Sequence, residues 1–334
     1  MSSRSMDLAA WALRVAPRLG TAGDRRLVLC YHGVGAEGDP PGSFVDPKKK
    51  LSPATFRRQL RWLSELGKLV RLDEISEPVP ASSGWRFAIT FDDGYRNNVD
   101  VALPILEEFR APLTWFVASS YVEDRDRLPW WDLLQFLERR LDTPLVVKLG
   151  EDAYALGTTP ATPGRSPDFM RLRSRFLDAA GSTVAMERSI IDAARARGLS
   201  LPTNGFADPD TVREVATNSL VEIGVHTHNH VNMARTSASD IALELQTNIA
   251  RIRDWTGRTP REFAYPYGTR NAVSADAAEQ VKAQDLSLAV TTRRDYLDER
   301  ADVYQLPRLT VQSGWSDAVF KSRVKALDRW NRVR

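Results

Sequence analysis

The chain has 334 residues, of which 43% are hydrophobic and 27% are charged, and its formal net charge is +3. These values are typical of a globular protein with one large domain or two ordinary ones, and they argue against a disordered or membrane-embedded chain. The small, evenly spread charge forms no basic stripe, so no nucleic-acid partner is expected. A single cysteine, Cys30 in the apolar run LVLCYH, excludes an internal disulfide and indicates a buried thiol.

The first 25 residues predict an N-terminal helix. Its run MSSRSMDLAAWALRVAPRLG is interrupted by Arg14 and Arg18 and contains no small-residue cleavage site of the A-x-A kind. A signal peptide is therefore not expected, and the expected location is cytoplasmic. The apolar residues from Leu8 to Val15 leave two alternatives open, a helix packed on the domain or a weak association with a membrane surface.

Short apolar runs alternate with helical patterns along most of the chain. RLVLCYH comes first, a helix opened by Ser52 and Pro53 follows, and RFAITFDDG is the next apolar run. A helix from about Asn97 to Phe109 then precedes the apolar runs PLTWFVAS and VEIGVHTH. A further helix, from about Ser237 to Trp255, precedes the apolar runs EFAYPYG, LSLAVTT and YQLPRLTV. Strand, helix, strand is the signature of parallel βαβ units. Six or seven such strands predict an α/β fold with a closed or nearly closed parallel barrel.

Residues 123–209 interrupt this alternation. The stretch opens with the charged EDRDRLPWWD, contains the Pro/Gly/Thr-rich LGTTPATPGRSP, and includes the helical pattern FMRLRSRFLDAAG. We interpret it as a mainly helical insertion that caps the barrel, and a peripheral subdomain without an active role is the alternative. The predicted organisation is an N-terminal helix (1–25), a first part of the barrel (26–122), the insertion (123–209), a second part of the barrel (210–312) and a C-terminal helix (313–334).

Three apolar runs end in polar motifs, TFDDG, GVHTHNH and FAYPYG. Because the carboxyl ends of parallel strands meet at one mouth, these motifs are expected to converge. His226 and His230 are four residues apart, a spacing that predicts two imidazoles on one side of a helical turn. With Asp93 they form a two-histidine, one-carboxylate set that leaves positions open for water and substrate, as in a catalytic metal site.

Asp92 and Asp93 lie side by side at the end of an apolar run, where two carboxylates repel each other. Either they open a turn, in which Gly94 supplies a positive φ, or they hold something positive. The histidines favour the second interpretation. Asp93 is predicted to bind the metal, and Asp92 is predicted to stay free as a general base.

The order and wording of these motifs resemble the polysaccharide deacetylase family, also called the NodB-homology family. Residues 90–94 match its T-F-D-D-G motif, residues 226–230 match H-[ST]-x-x-H, and residues 264–267 correspond to a third motif that is R-x-P-Y in many members. The flanking segments also resemble those of a branch of this family with an early Y-H motif; they are YHGV, LSPATFRRQLRWL and LPRLTV. The first two motifs in this order are highly specific, whereas either alone would be weak.

The resemblance implies a distorted (β/α) barrel and metal-dependent removal of acetyl groups, usually from N-acetylated amino sugars. It implies that Asp92 is the base and that Asp93, His226 and His230 bind the metal, with Zn²⁺ preferred and Co²⁺ or Ni²⁺ as alternatives. The backbone N–H of Tyr267 would help to hold the oxyanion of the tetrahedral intermediate. The implied partner is an N-acetylated sugar or glycan, and a cytoplasmic location favours a lipid-linked or nucleotide-linked precursor or a small glycoconjugate.

Two positions depart from the family pattern. Ala264 stands where many members have an arginine that orients the base, and the late strands contain no histidine to act as general acid. His32 in YHGV is predicted to protonate the leaving amine, and a structural histidine that caps its strand is the alternative. Arg308 in LPRL is the candidate for the missing arginine, and a plain surface arginine is the alternative.

Trp130 and Trp131 begin the insertion and are candidates for stacking on a sugar ring, with a place in the core of the insertion as the alternative. Two further functions stay open for the chain. One is an amide or ester hydrolase of the same fold that acts on a non-sugar compound. The other is a catalytically inert carbohydrate-binding homologue, against which the retained aspartate pair and histidines speak. No oligomeric state is predicted.

Overall fold

The structure is a computed structural model that describes residues 25–35, 50–77, 84–157, 166–295, 297 and 301–331. The strands are β1 (Arg25–Tyr31), β2 (Gly33–Val34), β3 (Lys50–Leu51), β4 (Gly67–Val70), β5 (Trp85–Phe91), β6 (Leu113–Val117), β7 (Leu145–Leu149), β8 (Asp152–Leu156), β9 (Val221–Val225), β10 (Glu262–Ala264), β11 (Leu288–Val290) and β12 (Arg308–Thr310). The predicted N-terminal helix lies outside the described residues.

The α-helices are α1 (Pro53–Leu66), α2 (Leu72–Ile75), α3 (Leu103–Glu108), α4 (Ser119–Glu123), α5 (Trp130–Arg140), α6 (Pro167–Leu177), α7 (Val184–Ala196), α8 (Pro209–Val215), α9 (Ala238–Thr256), α10 (Ala275–Lys282) and α11 (Asp317–Asn331). A π-helical turn spans Asn98–Ala102, and short 3-10 turns span Met233–Arg235 and Val303–Gln305. None of the described helices has both the length and the apolar character that a membrane crossing requires.

A parallel barrel forms the centre of the molecule. Seven strands follow each other in the order β11-β10-β9-β6-β5-β1-β12. A bridge between Val290 in β11 and Leu306, just before β12, brings the two edges together, so the barrel is nearly closed. The predicted α/β barrel is therefore confirmed. The additional strand β4 pairs with the first half of β5, and the sequence pattern does not reveal it because its four residues directly follow α1.

Local sequence signals account for the ends of the helices that cover the barrel. Ser52 caps α1 by accepting a hydrogen bond from the Thr55 N–H, and Pro53 occupies the first turn. The long helix α9 is capped at its carboxyl end by Gly257, which has a φ of +70°, a conformation that glycine adopts without steric cost. The buried stripe of α1 consists of Phe56, Leu60 and Leu63.

The stretch between β6 and β9 has a hydrophobic core of its own. It contains α5, α6, α7 and an antiparallel hairpin of β7 and β8. Its buried side chains form a cluster separate from the core of the barrel and include Leu133, Leu137, Val147, Leu172 and Ile190. The insertion, expected to be mainly helical, contains a β-hairpin in addition to its helices. The sequence pattern of the two short strands does not distinguish them from the surrounding loops.

Glu262 carries a carboxyl group into the interior at the amino end of β10. The residue is 3% exposed. Burial raises the pKa of Glu262 to about 8; a hydrogen bond from Thr114 opposes the rise, while the negative charges of Glu222 and Asp73 add to it. Since the pKa of an ordinary glutamate is 4.5, the folded protein holds a proton that the unfolded chain releases between these two pH values. Folding stability therefore falls as the pH rises through this window.

We expect Glu262→Gln to remove this pH dependence, because the amide carries no proton to lose. Between about pH 5 and about pH 8, the free energy of unfolding of the wild type should fall by up to ~1.4 kcal/mol per pH unit relative to the variant. Urea unfolding across this range measures the difference, and Glu214→Gln, at an exposed position, is the control. Parallel pH profiles of wild type and Glu262→Gln would contradict the prediction.

Candidate active site

A cavity of about 300 Å³ opens at the carboxyl ends of the barrel strands. One side of it belongs to the barrel, and the other side belongs to α5 and α6 of the insertion. Every site residue predicted from the sequence lines this cavity except Arg308, which lies beneath it. The three polar motifs thus converge at one mouth, as parallel strands require.

The turn after β5 separates the two adjacent carboxylates. The backbone φ is +78° at Asp93 and +99° at Gly94, a region that is costly for a residue with a side chain and open to glycine. Asp92 contacts Arg308, whereas Asp93 contacts two histidines. The neighbouring carboxylates therefore have different partners and different chemical surroundings.

The guanidinium of Arg308 holds both carboxylate oxygens of Asp92. Nη1 and Nη2 each donate to one oxygen at 2.7 Å, Nη1 also donates to the Thr90 hydroxyl, and Nε donates to the Thr291 carbonyl. The side chains are 0% and 4% exposed. Burial by itself raises the pKa of Asp92, but the charge of Arg308 and nearby imidazoles outweigh it and lower that pKa to about 2. The Asp92 carboxylate is therefore ionised at neutral pH.

Asp93, His226 and His230 converge on one buried point. Nε2 of His226 lies 3.4 Å from Oδ1 of Asp93, and Nε2 of His230 lies 3.3 Å from the same oxygen. One ligand atom from each of the three residues lies within 4.8 Å of the other two. Two imidazole nitrogens and one carboxylate oxygen at this spacing have the geometry of a divalent-metal site.

The hydrogen bonding of His226 shows that this set fits a cation. Its Nδ1 lies 2.7 Å from the carbonyl oxygen of Ala264, which can only accept, so Nδ1 carries the proton. In the neutral ring, Nε2 then directs a lone pair towards the Asp93 oxygen, which is also an acceptor. Two facing acceptors repel unless a cation lies between them, and ligating histidines usually make such an outer hydrogen bond. The residues fit a divalent metal ion with nitrogen and oxygen ligands.

The helical turn predicted for residues 226–230 is wrong. β9 ends before this segment, which bends without forming a helix and has a φ of +59° at Thr227 and +54° at His230. The two imidazoles meet because the backbone reverses direction between them. Asn248 on α9 holds the segment, since its side chain accepts from the His226 N–H at 2.8 Å and donates to a carbonyl of β6 at 3.0 Å.

His32 follows β1 and lies on the Asp92 side of the cavity. It is 6% exposed, and single atoms of Cys30, His32 and Asp92 lie within 4.8 Å of one another. The Cys30 thiol, buried as predicted, donates to an oxygen of Asp92 at 3.3 Å. Sequence reasoning missed this contact with the predicted base. The available signal was strand alternation, which places residues 30 and 32 on the same face.

A buried asparagine changes the start of the helix predicted from Asn97 to Phe109. The structure has the π-helical turn first and α3 after it. The Asn98 side chain donates to the His32 carbonyl at 2.9 Å and accepts from the indole N–H of Trp115 at 3.0 Å. Such wide turns are frequent at functional sites, and this one anchors the backbone of His32.

Tyr267 lies on the metal-ligand side of the cavity. Its φ is +61°, its ring meets the His230 ring edge-on with centroids 4.8 Å apart, and its carbonyl accepts from the Thr292 hydroxyl at 2.6 Å. Among the backbone hydrogen bonds of the described residues, its N–H has no acceptor. A donor without a protein partner is available to a substrate oxygen. The oxyanion role of this N–H stays a prediction.

The two tryptophans of the insertion have different surroundings. Trp130 is 5% exposed, stacks on Phe176 with centroids 5.2 Å apart, and donates from its indole nitrogen to the Tyr267 hydroxyl at 3.1 Å. Trp131 is half-buried, contacts the His230 ring at 4.6 Å, and stays accessible from the cavity. Trp130 thus belongs to the core of the insertion, which leaves Trp131 with more surface for a sugar ring.

A buried polar network joins the insertion to the metal-ligand segment, and no sequence motif reveals it. Arg127 donates to Glu187 at 2.8 Å and to the Asn229 side chain at 2.6 Å. Asn229, the neighbour of His230, also donates to both carboxylate oxygens of Glu244 on α9, at 2.7 Å each. The segment that carries His230 is therefore held from the insertion and from the barrel.

The family of the chain follows from its sequence. A model of the family described as polysaccharide deacetylase matches residues 82–160 and 166–285. Because these ranges make up more than half of the chain, the protein belongs to the polysaccharide deacetylase family. No curated protein sequence matches the chain significantly.

Solved structures of similar fold cover nearly the whole chain. IcaB from Ammonifex degensii has a TM-score of 0.56 at 18% identity, over 92% of this chain and 98% of that chain. A de-N-acetylase from Aggregatibacter actinomycetemcomitans has a TM-score of 0.56 at 16% identity, over 90% and 100% of the two chains. The deacetylase PplD from Streptococcus pyogenes, in complex with acetate, has a TM-score of 0.55 at 13% identity, over 92% and 99%. At these identities the likeness concerns the fold.

We expect loss of the Arg308 charge to destabilise the protein strongly. Arg308→Leu leaves Asp92 as an unpaired buried charge, so the free energy of unfolding should fall by about 3–5 kcal/mol. Adding Asp92→Asn should recover part of this loss, with a coupling energy of about 1–3 kcal/mol between the two positions. Urea unfolding of the wild type, both single variants and the double variant measures the coupling. Simple additivity would contradict the prediction.

We expect the metal-free protein to bind one Zn²⁺ through the Asp93, His226 and His230 set. His230→Ala should weaken binding by at least ~100-fold, since it removes a direct ligand. His228→Ala is the matched control, because this neighbouring imidazole contacts the Ser119 hydroxyl at 2.8 Å instead. Competition with a chromophoric chelator measures both affinities. Equal losses in the two variants would show that the ligand set is different.

Proposed function

We propose that the protein is a metal-dependent deacetylase that hydrolyses the N-acetyl group of an amino sugar within a glycan or glycoconjugate precursor. The observation that carries this proposal is the pairing of two buried units on one cavity. One is the Asp93, His226 and His230 set, and the other is the ionised Asp92 held by Arg308. A pure binding protein needs no second carboxylate beside a metal-ligand set.

Asp92 is the group that accepts the proton of the attacking water. Arg308 keeps its carboxylate ionised and fixes the direction of both oxygens, and the Cys30 thiol contacts one of them. A bidentate guanidinium holds a carboxylate in a defined plane, which a general base requires. A divalent ion such as Zn²⁺, bound by Asp93, His226 and His230, would supply Lewis-acid polarisation of the acetyl group and a more acidic water.

Two further groups act on the substrate in this proposal. The Tyr267 N–H donates to the acetyl oxygen as negative charge develops there. His32 donates a proton to the departing amine. Its burial at the cavity wall and its closeness to Asp92 support this role, because one base and one acid can then serve the same reacting amide.

The acyl group and the sugar are inferred from the family and from the named activities of similar folds. The family name supplies the sugar, and the names of the de-N-acetylase from Aggregatibacter actinomycetemcomitans and of the deacetylase PplD, solved with acetate, supply the acetyl group. The cavity of about 300 Å³ lies at the lower end of the range for small-molecule sites. It therefore suits one or two sugar units rather than a long stretch of polymer.

Acetate release from N-acetylated sugars, oligosaccharides and sugar nucleotides by the zinc-loaded protein tests the proposal. Asp92→Asn should keep stoichiometric metal and lose turnover by about 10²–10⁴-fold, because the amide cannot accept the proton. His32→Ala should lose about 10²-fold or more on amides but stay within about tenfold of wild type on an aryl acetate, whose phenolate leaves without protonation.

The control is Asp100→Asn, which changes an exposed aspartate paired with Arg96 and should leave turnover unchanged. Loss of aryl acetate hydrolysis in His32→Ala would remove His32 as the general acid. Acetate release confined to non-sugar amides or esters would favour the alternative function, an amide or ester hydrolase that acts on a non-sugar compound. No release from any substrate, with metal bound, would favour an inert carbohydrate-binding protein.

A further inference from the structure

The insertion builds the cavity wall that faces the barrel. Two helices contribute it: α5 provides Trp130, Trp131 and Gln135, and α6 provides Phe169, Arg173 and Leu177. Phe169, Arg173 and Leu177 are four residues apart, so α6 directs a single stripe of side chains into the cavity. Phe169 is buried and Leu177 half-buried, whereas Arg173 between them is exposed. The wall therefore combines apolar surface, one amide and one guanidinium.

Arg173 differs from the other arginines of its helix. Arg171 contacts the carboxylates of Asp168 and Asp152, and Arg175 contacts Asp152. Within the part of the chain that the structure describes, Arg173 has no ion pair and no hydrogen bond. Among the described residues, the Arg173 guanidinium therefore has no carboxylate partner, whereas Arg171 and Arg175 on the same helix each contact at least one carboxylate.

The two carboxylates that line the cavity, Asp92 and Asp93, do not pair with Arg173 either. Asp92 is held on both oxygens by Arg308, and Asp93 faces two imidazoles. Among the described residues that line the cavity, Arg173 therefore presents a positive charge without a carboxylate partner on the insertion side. A planar guanidinium binds phosphate and carboxylate groups through two parallel hydrogen bonds.

We propose that Arg173 forms a subsite for an anionic group, a phosphate or a carboxylate, carried by the acetylated sugar. The inference rests on the proposed function and narrows its substrate class to acidic amino-sugar derivatives. Trp131, Phe169 and Leu177 offer apolar surface to the C–H faces of the sugar, and Gln135 offers an amide to a hydroxyl group. A neutral polymer would leave the charge of Arg173 unused, and a polymer rich in free amines would be repelled by it.

Equilibrium binding separates this inference from the proposed function. Three probes are titrated by calorimetry into the zinc-loaded protein: methyl N-acetylglucosaminide, N-acetylglucosamine 1-phosphate, and the uronic acid of N-acetylglucosamine. At least one anionic probe should bind about tenfold or more tightly than the neutral one, and Arg173→Ala should reduce that preference to below about twofold. Arg173→Lys should keep part of it, because the charge remains and the fork geometry is lost.

Arg171→Ala is the matched control, since it removes an equal charge from the same helix outside the cavity and should keep the full preference. If the 1-phosphate binds more tightly than the neutral probe, the subsite binds a phosphate; if the uronic acid does, it binds a carboxylate. Equal binding of neutral and anionic sugars by the wild type, or a preference that survives Arg173→Ala, would overturn the inference. A preference that Arg173→Ala abolishes, together with no acetate release from any N-acetylated sugar, oligosaccharide or sugar nucleotide, would support the subsite while contradicting the proposed deacetylation.

Discussion

The buried ion pair between Arg308 and Asp92 is the contact on which the site depends. The two residues are 216 positions apart, and their strands, β12 and β5, are separated in the barrel by β1. The same guanidinium lies over the Phe116 ring of β6 and donates to the carbonyl of Thr291 after β11. Because both charges are stable in the interior only as a pair, the closure of the barrel and the ionised state of Asp92 support each other.

Unfavourable backbone conformations are concentrated at the same mouth. Among the described residues, six that are not glycine have a positive φ, and four of them lie in the polar motifs: Asp93, Thr227, His230 and Tyr267. Such conformations cost on the order of 1–3 kcal/mol each and persist only where the surroundings hold them. Here Asn248, Glu244 and Thr292 bond the backbone of these segments. The ligand atoms meet because the barrel and its helices hold turns that the chain alone would not favour.

The insertion supports the segments that carry the site. Through Arg127 and Asn229 it reaches the segment that carries His230, and through Trp130 it contacts the Tyr267 hydroxyl. Its separate hydrophobic core makes it a rigid partner for these contacts. The barrel thus carries the Asp93, His226 and His230 set and the Asp92–Arg308 pair, whereas α5 and α6 form the facing wall of the cavity. Arg173 is the charged member of that wall.

Much of the fold could be predicted from the sequence, because barrel strands and covering helices leave local signals. Runs such as RLVLCYH and RFAITFDDG are buried strands, and the stripe on α1 follows helical spacing. Elements with weak patterns, such as β4 and the β7–β8 hairpin, leave no such signal and take their structure from the strands beside them. Even so, the alternation of elements was sufficient for the barrel class.

For the site, the sequence by itself determined the motif residues and the kind of chemistry they allow, since residue type and order along the chain are local properties. The tertiary structure decided which of them meet. It alone brings Arg308 onto Asp92, directs the Cys30 thiol to the same carboxylate, and replaces the expected helical turn at His226 and His230 with a bend. These contacts join residues far apart in sequence or depend on unusual φ values, and neither periodicity nor spacing encodes them.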